Sequence, residues 1–398
     1  MERARARRRR LALGTLAVLA IGGFALGAVL GRGSGTGGSG GGHPGGSGGR
    51  SSSGEAGSGG EPTRPTLAER LTPGELAGER VVVSVDGTGL TPELRQAIHQ
   101  GEVAGVVLFE ADFPTRAAGR ELIGALQAVP RPPRLRRLPL LVMTDQEGGE
   151  VKRIDGPPQA SAAKMGAEGG AYAHHQGRAT AANLASLGVN VDLAPVLDVA
   201  RAGGVIAETD RGFGATPAEV AETAVPFAIG LQEGGVASTA KHFPGLGAAT
   251  ENTDFEAQHL RLPKSEVRAV DEAPYRGYIA AGGKLVMLST AIYPAFSDRP
   301  AAFTKRIATG ELRGRLGFDG VTITDSLGGA AVAAFGGQRE AAVDGAAAGD
   351  DLLLFDDLPS ALAGHAALVE QLRKGGLERA PFLAAARRVL RLRHQLPH

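Results

Sequence analysis

The chain has 398 residues, no Cys, no Trp and 61 Gly, and its formal net charge at pH 7 is +1. Without Cys it can form no disulfide scaffold, thiolate zinc site, Cys nucleophile or Cys-linked lipid anchor. Its length suits two or three ordinary domains or one large α/β barrel. Its hydrophobic fraction of 42% is enough for a substantial core.

The charge is unevenly distributed along the chain. Residues 1–65 contain nine Arg and three acidic residues, a net charge of +6, so the remaining residues sum to −5. A protein that binds nucleic acid through a basic face concentrates Lys and Arg in its folded part. The charge therefore predicts no nucleic-acid partner.

The N-terminal segment has the pattern of a membrane anchor. Residues 1–10 include six Arg, and residues 11–31 carry no charge and only one polar side chain, Thr15. At about 1.5 Å per residue, a helix of this length spans the roughly 30 Å hydrocarbon core of a bilayer. The excess of Arg before this segment predicts a basic cytoplasmic segment at 1–10 and export of the rest.

Residues 11–31 are predicted to be a transmembrane anchor or a signal sequence. A cleaved signal peptide has a shorter apolar core and a clear cleavage site, so the long core favours an uncleaved anchor. The predicted localisation is extracytoplasmic, with the chain held to the membrane by this helix, or secreted if the helix is cleaved.

A Gly/Ser-rich stretch follows the apolar segment. Residues 31–60 contain 16 Gly and seven Ser. Such a composition buries too little apolar surface to offset chain entropy, so a disordered linker is predicted over 32–65. Its expected role is to hold a folded domain away from a membrane.

From residue 66 to 398, short apolar runs alternate with amphipathic segments. Runs such as Leu-Leu-Val-Met and Gly-Val-Thr-Ile-Thr are continuous, which is typical of parallel strands buried on both faces. Eight such strands alternating with helices predict one α/β domain, a (β/α)8 TIM-type barrel. The alternative is a doubly wound open sheet. No Gly-x-Gly-x-x-Gly follows the first strand, so no dinucleotide cofactor is expected.

The predicted elements follow in chain order. The strands are 81–87, 103–109, 138–144, 189–199, 236–242, 284–293, 320–325 and 350–355. The helices include 91–100, 115–129, 171–187, 217–233, 265–281 and 337–348, with a closing helix at 377–396.

Charged residues directly follow several of these strands. Asp145 comes after the third strand, Asp198 closes the fourth, Lys241 and His242 end the fifth, and Asp325 ends the seventh. The active sites of such barrels lie at the C-terminal ends of the strands. Charges there are costly without a partner or a ligand, so we predict a polar functional site at this rim. No motif for a metal or a nucleotide is present.

These residues each allow more than one interpretation. Asp325 points into the barrel mouth or caps the next helix, since Asp before a helix commonly does so. Lys241 and His242 are adjacent, so they share a site only if the strand ends there, which the following Phe-Pro-Gly favours. They bind a ligand, or they pair with Asp198 or Glu147. Lys241 could also form a Schiff base in an aldolase.

Six motifs in this order resemble the N-terminal barrel domain of glycoside hydrolase family 3. The resemblance extends from Leu67 to the C-terminus and is strongest to the single-domain β-N-acetylhexosaminidases. The motifs are Gly105-Val-Val-Leu-Phe109, Asp145-Gln-Glu-Gly-Gly149 with Arg153, Ala194-Pro-Val-Leu-Asp198, Asp210-Arg-Gly-Phe-Gly214, Lys241-His-Phe-Pro-Gly245 and Asp319-Gly-Val-Thr-Ile-Thr-Asp325.

The resemblance implies a role for each matching residue. Asp325 matches the catalytic nucleophile, which would form a covalent glycosyl-enzyme intermediate. A retaining glycosidase also needs a second group about 5–5.5 Å away, which acts first as acid and then as base. The residues that match those holding the hydroxyls of a terminal sugar are Asp145, Arg153, Arg211, Lys241 and His242.

The acid/base position departs from the family pattern. The family has a His on the loop after Lys-His-Phe-Pro-Gly, oriented by an Asp two residues earlier. Here Asn252 and Asp254 stand at these places. An Asp with an ordinary pKa of about 3.9 needs its pKa raised by about 2–3 units to act as an acid near neutral pH. Burial under the loop and the nearby Glu251 would contribute, so Asp254 is the predicted acid/base.

Two other departures leave alternatives open. Glu251 or His259 could replace Asp254 if the loop folds differently. Glu150 stands where the motif usually continues with a basic residue. Either this difference alters the choice of substrate, or the Glu150 side chain faces solvent.

Two functions of different classes follow. The first is an exported retaining glycoside hydrolase without a cofactor. It would release a terminal β-linked sugar, with N-acetylglucosamine favoured, from a glycan or a cell-wall-derived saccharide. The low aromatic content of 4% favours a compact polar pocket for one sugar. The alternative is a catalytically impaired sugar-binding or cell-envelope scaffold protein on the same barrel.

Overall fold

The structure is a computed structural model that describes residues 65–397, and the chain from Thr66 onward forms one compact unit. The predicted cytoplasmic segment 1–10, the membrane segment 11–31 and nearly all of the linker 32–65 lie outside the described residues. Over residues 65–397, no helix has both the length and the apolar character to cross a bilayer.

Ten strands occur in the described residues. They are β1 Val81–Ser84, β2 Gly105–Val107, β3 Leu141–Thr144, β4 Gln146–Gly148, β5 Val151–Lys152, β6 Val191–Asp192, β7 Ala237–Phe243, β8 Leu285–Leu288, β9 Val321–Thr324 and β10 Leu353–Phe355.

Fourteen α-helices lie between and after them in the same part of the chain. They are α1 Leu67–Arg70, α2 Pro73–Gly78, α3 Pro92–Gln100, α4 Arg116–Ala128, α5 Ala162–Glu168, α6 Gly170–Ala185, α7 Val205–Glu208, α8 Pro217–Glu233, α9 Lys264–Glu266, α10 Ala273–Ala280, α11 Ala330–Ala333, α12 Gln338–Ala348, α13 Leu358–Lys374 and α14 Arg379–Gln395. Two 3₁₀ turns (Glu110–Asp112, Ala301–Phe303) and two π-helical segments (Val267–Asp271, Arg306–Arg315) complete the set.

Eight of the strands form one parallel sheet in the order β10-β1-β2-β3-β6-β7-β8-β9. Its two edges meet at a parallel bridge between Ile323 and Leu352, where the Thr324 amide donates to the Leu352 carbonyl at 3.0 Å. The result is a nearly closed eight-stranded barrel of TIM type, as the sequence predicts. The doubly wound alternative is wrong, because its sheet edges would remain apart.

The strands are buried on both faces, which explains their continuous apolar runs. In β1, Val82 packs in the barrel interior, while Val81 and Val83 pack between the sheet and the helices. Leu392 of α14 and Leu396, which directly follows this helix, belong to the interior cluster. The C-terminal helix therefore closes the end of the barrel where the strands begin, opposite the predicted site.

Three local features differ from the sequence predictions. The fourth predicted strand, 189–199, is a regular strand only at Val191–Asp192, with a further isolated parallel bridge between Val196 and Lys241. The helix predicted at 265–281 is interrupted by the π-helical Val267–Asp271. A small antiparallel hairpin of β4 and β5 was not predicted. It is held by the buried amide of Gln146, which donates to the Ile154 carbonyl at 2.8 Å and accepts from the Ile154 amide at 3.1 Å.

The closure of the barrel by α14 can be tested with Leu392→Ala. The truncation leaves a cavity in the interior cluster, so we expect the free energy of unfolding to fall by about 2–5 kcal/mol. Urea unfolding followed by circular dichroism measures the change. The exposed neighbour His394 is the control, and His394→Ala is expected to unfold like the wild type. Equal stabilities of the two variants would contradict this packing.

Candidate active site

The strand pleat places a set of polar side chains at the barrel mouth. Met143 of β3, Ile323 of β9 and Leu354 of β10 line the interior. Successive side chains of a strand alternate between its faces, so Asp145, Asp325 and Asp356, each two residues further on, continue the inward-facing rows. Lys241 does the same in β7, where Ala237 lines the interior. These four side chains therefore converge at the C-terminal ends of the strands.

Lys241 lies at the centre of a buried ion cluster. Its Nζ is 2.6 Å from Asp145 Oδ1 and 2.7 Å from Glu147 Oε1. Arg211 holds the same Glu147 through both oxygens, with Nε to Oε2 at 2.8 Å and Nη2 to Oε1 at 2.7 Å. The pairing of Lys241 with Glu147, one of the sequence alternatives, is thus observed. It links β7, the β4–β5 hairpin and the loop after α7.

The cluster keeps its members ionised. Burial raises the pKa of Asp145, but the charges of Lys241 and Arg153 outweigh it. Burial also raises the pKa of Glu147, but the charges of Arg211 and Lys241 outweigh it. Both pKa values therefore fall below their usual range. Burial lowers the pKa of Lys241, but the two carboxylates outweigh it and the net shift is upward. A Schiff base requires a neutral amine, so this Lys is unsuited to the aldolase reaction.

Arg153 lies beside this cluster. Its guanidinium carbon is 5.4 Å from the centre of the Phe109 ring, and its charge contributes to the lowered pKa of Asp145. Its backbone amide donates to Gln146 Oε1 at 3.1 Å. The Arg153 Nε is buried and makes no hydrogen bond within the described residues.

His242 is fixed by Asp198. The His242 Nδ1 is 2.8 Å from Asp198 Oδ2, and Asp198 Oδ1 accepts the backbone amides of His242 at 3.0 Å and of Leu246 at 2.7 Å. The strand was expected to end at Lys241 and His242, but β7 continues to Phe243. Its register against β8 shifts between Ala240 and Phe243, which interrupts the regular alternation where the two residues lie.

Asp325 follows β9 and is half-buried. Its amide donates to the Leu288 carbonyl at 2.9 Å, and its Oδ1 accepts the Ser326 amide at 2.9 Å. The helix-cap alternative is wrong, because the next helix, α11, begins only at Ala330 and its N-cap residue is Gly329. Helix capping therefore does not explain why the carboxyl of Asp325 lies at the mouth.

Asp254 lies on the loop after β7, with Asn252 bound to it in a tight local turn. Asn252 Nδ2 donates to Asp254 Oδ2 at 3.1 Å, and the Asp254 amide donates to Asn252 Oδ1 at 3.0 Å. The Ala330 amide donates to the Asp254 carbonyl at 3.1 Å. The loop is therefore attached to the segment that follows Asp325.

The pKa of Asp254 is raised to about 7. The residue is exposed at the loop surface, but the surrounding protein desolvates its carboxyl, and the negative charges of Asp325 and Asp356 add to the rise. Asp325 and Asp356, rather than the expected Glu251, are the principal like charges. The shift matches what an acid near neutral pH requires.

The other candidates on these loops are placed differently. His259 is exposed, and its backbone pairs with Ile292. Glu150 is exposed at the turn of the β4–β5 hairpin, which agrees with the alternative that it faces solvent. Within residues 65–397, no group of three or more His, Asp or Glu side chains is arranged to hold a metal ion.

Asp356 was missed by the sequence reasoning. Its neighbour Asp357 caps α13, with Oδ1 accepting the Ser360 amide at 2.7 Å, so the Asp-Asp pair has the pattern of a helix start. The alternation in β10 is the signal that could have found it, because Asp356 is two residues after the interior Leu354.

Comparisons with known proteins identify the family of the chain. Residues 77–392 match the Glycosyl hydrolase family 3 N terminal domain. An uncharacterised secreted glycosyl hydrolase of Arthroderma benhamiae is 36% identical over 330 residues, which are 80% of this chain and 93% of that protein.

Two solved structures are similar in fold and sequence. The β-N-acetylhexosaminidase of Beutenbergia cavernae superposes with a TM-score of 0.75 at 32% identity, over 81% of this chain and 99% of that one. The family 3 β-N-acetylglucosaminidase of a Paenibacillus species has a TM-score of 0.75 at 30% identity. That match covers 82% of this chain but only 62% of the Paenibacillus chain.

The ion cluster predicts a pH-dependent contribution to stability. Glu147→Gln leaves Lys241 and Arg211 short of a buried charge partner, so the free energy of unfolding at pH 7 should fall by about 3–5 kcal/mol. The folded-state pKa of Glu147 is lowered, so its stabilisation is present above the unfolded pKa of about 4.3 and declines at lower pH.

Urea unfolding at several pH values measures this difference. The gap between wild type and Glu147→Gln should narrow progressively below about pH 4, because Glu147 then takes up a proton in the unfolded chain while the folded protein still holds it ionised. Glu121→Gln, at an exposed position of α4, is the matched control. It should change neither the free energy of unfolding at pH 7 nor its dependence on pH. A gap that stays constant with pH would contradict the lowered pKa.

Proposed function

Because the chain belongs to glycosyl hydrolase family 3 and is a glycosidase that acts on O-glycosyl bonds, we propose that it is a retaining β-N-acetylhexosaminidase. Its substrate is a glycan or cell-wall-derived saccharide with a terminal β-linked sugar, N-acetylglucosamine being favoured. The observation that carries this proposal is that desolvation and the nearby charge of Asp325 raise the pKa of Asp254 to about 7. Two carboxyls with such different environments are suited to nucleophile and acid.

The buried ion cluster supplies the binding side of the pocket. Charged groups fixed by their partners form strong hydrogen bonds to hydroxyls without first having to be ordered. In this proposal Asp145 and Lys241 hold hydroxyls of the terminal sugar, and Arg153, Arg211 and His242 complete the set. Asp198 keeps the His242 ring in one orientation through its Nδ1.

In the first step, a carboxylate oxygen of Asp325 attacks the anomeric carbon. The bond from that carbon to the leaving oxygen breaks, and Asp254 donates its proton to this oxygen. The leaving alcohol is released, and the sugar remains as an ester on Asp325. The Ser326 amide bonded to Asp325 Oδ1 orients the carboxylate for this attack.

In the second step, water attacks the anomeric carbon of the ester. Asp254, now ionised, accepts a proton from the water, and the bond to Asp325 breaks. The sugar is released with the configuration of the substrate, and both carboxyls return to their starting states. Asp254 thus acts as acid and then as base at one position.

The location of the protein is part of the proposal. The Arg-rich N-terminus followed by an apolar stretch supports export, and the similar Arthroderma protein is described as secreted. An uncleaved segment 11–31 would hold the barrel outside the membrane at the end of the Gly/Ser-rich linker. Cleavage would release it.

The role of Asp325 is tested with Asp325→Asn. The amide is a poor nucleophile, so we expect release of nitrophenol from nitrophenyl β-N-acetylglucosaminide to fall by about 10⁴-fold or more. Asp319→Asn, at an exposed position at the other end of β9, is the matched control and should retain activity. Wild-type turnover by Asp325→Asn with an unchanged melting temperature would overturn the assignment.

The role of Asp254 is tested by varying the leaving group. An activated aryl group departs without protonation, whereas a sugar alcohol needs the acid. Asp254→Ala should therefore reduce kcat/KM for a disaccharide by about 10²–10⁴-fold, and reduce it much less for a dinitrophenyl glycoside.

The pH profile provides a second test of this role. Asp254 must be protonated to act as acid, so kcat/KM of the wild type for the disaccharide should fall as pH rises through about 7, and Asp254→Ala should lose this limb. Asp319→Ala is the control. If Asp254→Ala lost kcat/KM equally for the disaccharide and for the dinitrophenyl glycoside, the acid role would be contradicted.

A further inference from the structure

Asp356 has no part in the reaction described above, yet it lies at the same mouth. It follows β10, while Asp325 follows the adjacent β9 and Asp254 belongs to the loop after β7. The charges of Asp325 and Asp356 both act on the carboxyl of Asp254. Like charges placed together are unfavourable for folding, so this arrangement is suited to a function.

A chain of hydrogen bonds connects Asp356 with the nucleophile. Ser326 Oγ donates to Asp356 Oδ1, and the Ser326 amide donates to Asp325 Oδ1 at 2.9 Å. The Gly328 amide donates to the same Ser326 Oγ at 3.1 Å. Ser326 therefore bridges the two carboxylates and fixes the start of the segment that follows them.

The rest of this segment lies between Asp356 and Asp254. A Cβ atom on Gly328 would be 1.9 Å from Asp356 Oδ2, so the carboxylate rests directly against the backbone there. A Cβ atom on Gly329 would be 3.5 Å from Asp254 Oδ1. The two glycines are thus the layer that separates the carboxylates, and a larger residue at 328 would displace Asp356.

We propose that Asp356 is a positioning residue for proton transfer by Asp254. Held by Ser326, it keeps a second negative charge beside Asp254, and through segment 326–329 it fixes the spacing between the Asp254 loop and Asp325. The proposal rests on the proposed function, in which Asp254 is the acid. It accounts for how an Asp can stand where the family resemblance expects a His.

The charges that face Asp254 determine the sign of the effect. Asp325 and Asp356 favour its protonated form, and His242 and the Asn252 amide favour its ionised form. Burial raises the pKa of Asp356, as do the charges of Asp325, of Asp357 and of Asp86 after β1, while the hydrogen bond from Ser326 lowers it. Removing the charge of Asp356 therefore favours loss of the proton from Asp254.

The test is the pH dependence of Asp356→Asn in the full-length protein. With the disaccharide as substrate, the basic limb of kcat/KM should move down by about one pH unit, with about a fivefold loss at pH 7. The dinitrophenyl glycoside should show much less loss. Asp319→Asn, which removes an equivalent charge far from the mouth, should leave the limb in place. An unmoved limb in Asp356→Asn would overturn the proposal.

Ser326→Ala provides a second variant should Asp356→Asn fail to fold. It retains the Asp356 carboxyl but removes the hydrogen bond that favours its charge, so the limb should move in the same direction by a smaller amount. No movement in this variant would also count against the proposal. If Asp254→Ala is itself without effect on the disaccharide, the proposed function fails. If Asp254→Ala has its expected effect but Asp356→Asn and Ser326→Ala leave the basic limb of kcat/KM in place, only the role of Asp356 fails.

Discussion

The arrangement of the whole site depends on the ion pairs of Lys241. A buried ammonium is tolerated only when it is paired, so its two carboxylates, 2.6 and 2.7 Å away, must be present for the barrel mouth to close around it. Glu147 in turn binds Arg211 and so attaches the loop after α7. One buried cation therefore fixes three separate segments of the chain.

The mouth has two electrostatic halves with opposite effects on carboxyl groups. Around Lys241, opposite charges hold the pKa values of Asp145 and Glu147 low, so these groups remain ionised. Around Asp325, desolvation by the surrounding protein and like charges raise the pKa of Asp254 to about 7. The first half is suited to binding and the second to proton transfer. In the proposed mechanism the same residue type performs both tasks, because its neighbours differ.

The sequence predicts the parts of this structure that depend on periodic patterns. Continuous apolar runs locate all eight barrel strands, and the residues that end them include Lys241 and Asp325. Features that depend on a single side chain are missed. The β4–β5 hairpin depends on the buried Gln146 amide, which has no periodicity. Asp356 is not identified from the sequence, because the adjacent Asp357 explains the Asp-Asp pair as the start of a helix. The raised pKa of Asp254 depends on residues distant in sequence, so only the folded chain reveals its cause.

The central claim is that Asp325 forms a covalent intermediate that Asp254 helps to resolve. Mass spectrometry of peptides from the enzyme treated with a 2-fluoro sugar bearing an activated leaving group tests it most directly. The account predicts one glycosyl adduct, on the peptide that contains Asp325, and slower loss of this adduct in Asp254→Ala than in the wild type. An adduct on another residue, or turnover of the reagent without any adduct, would contradict it.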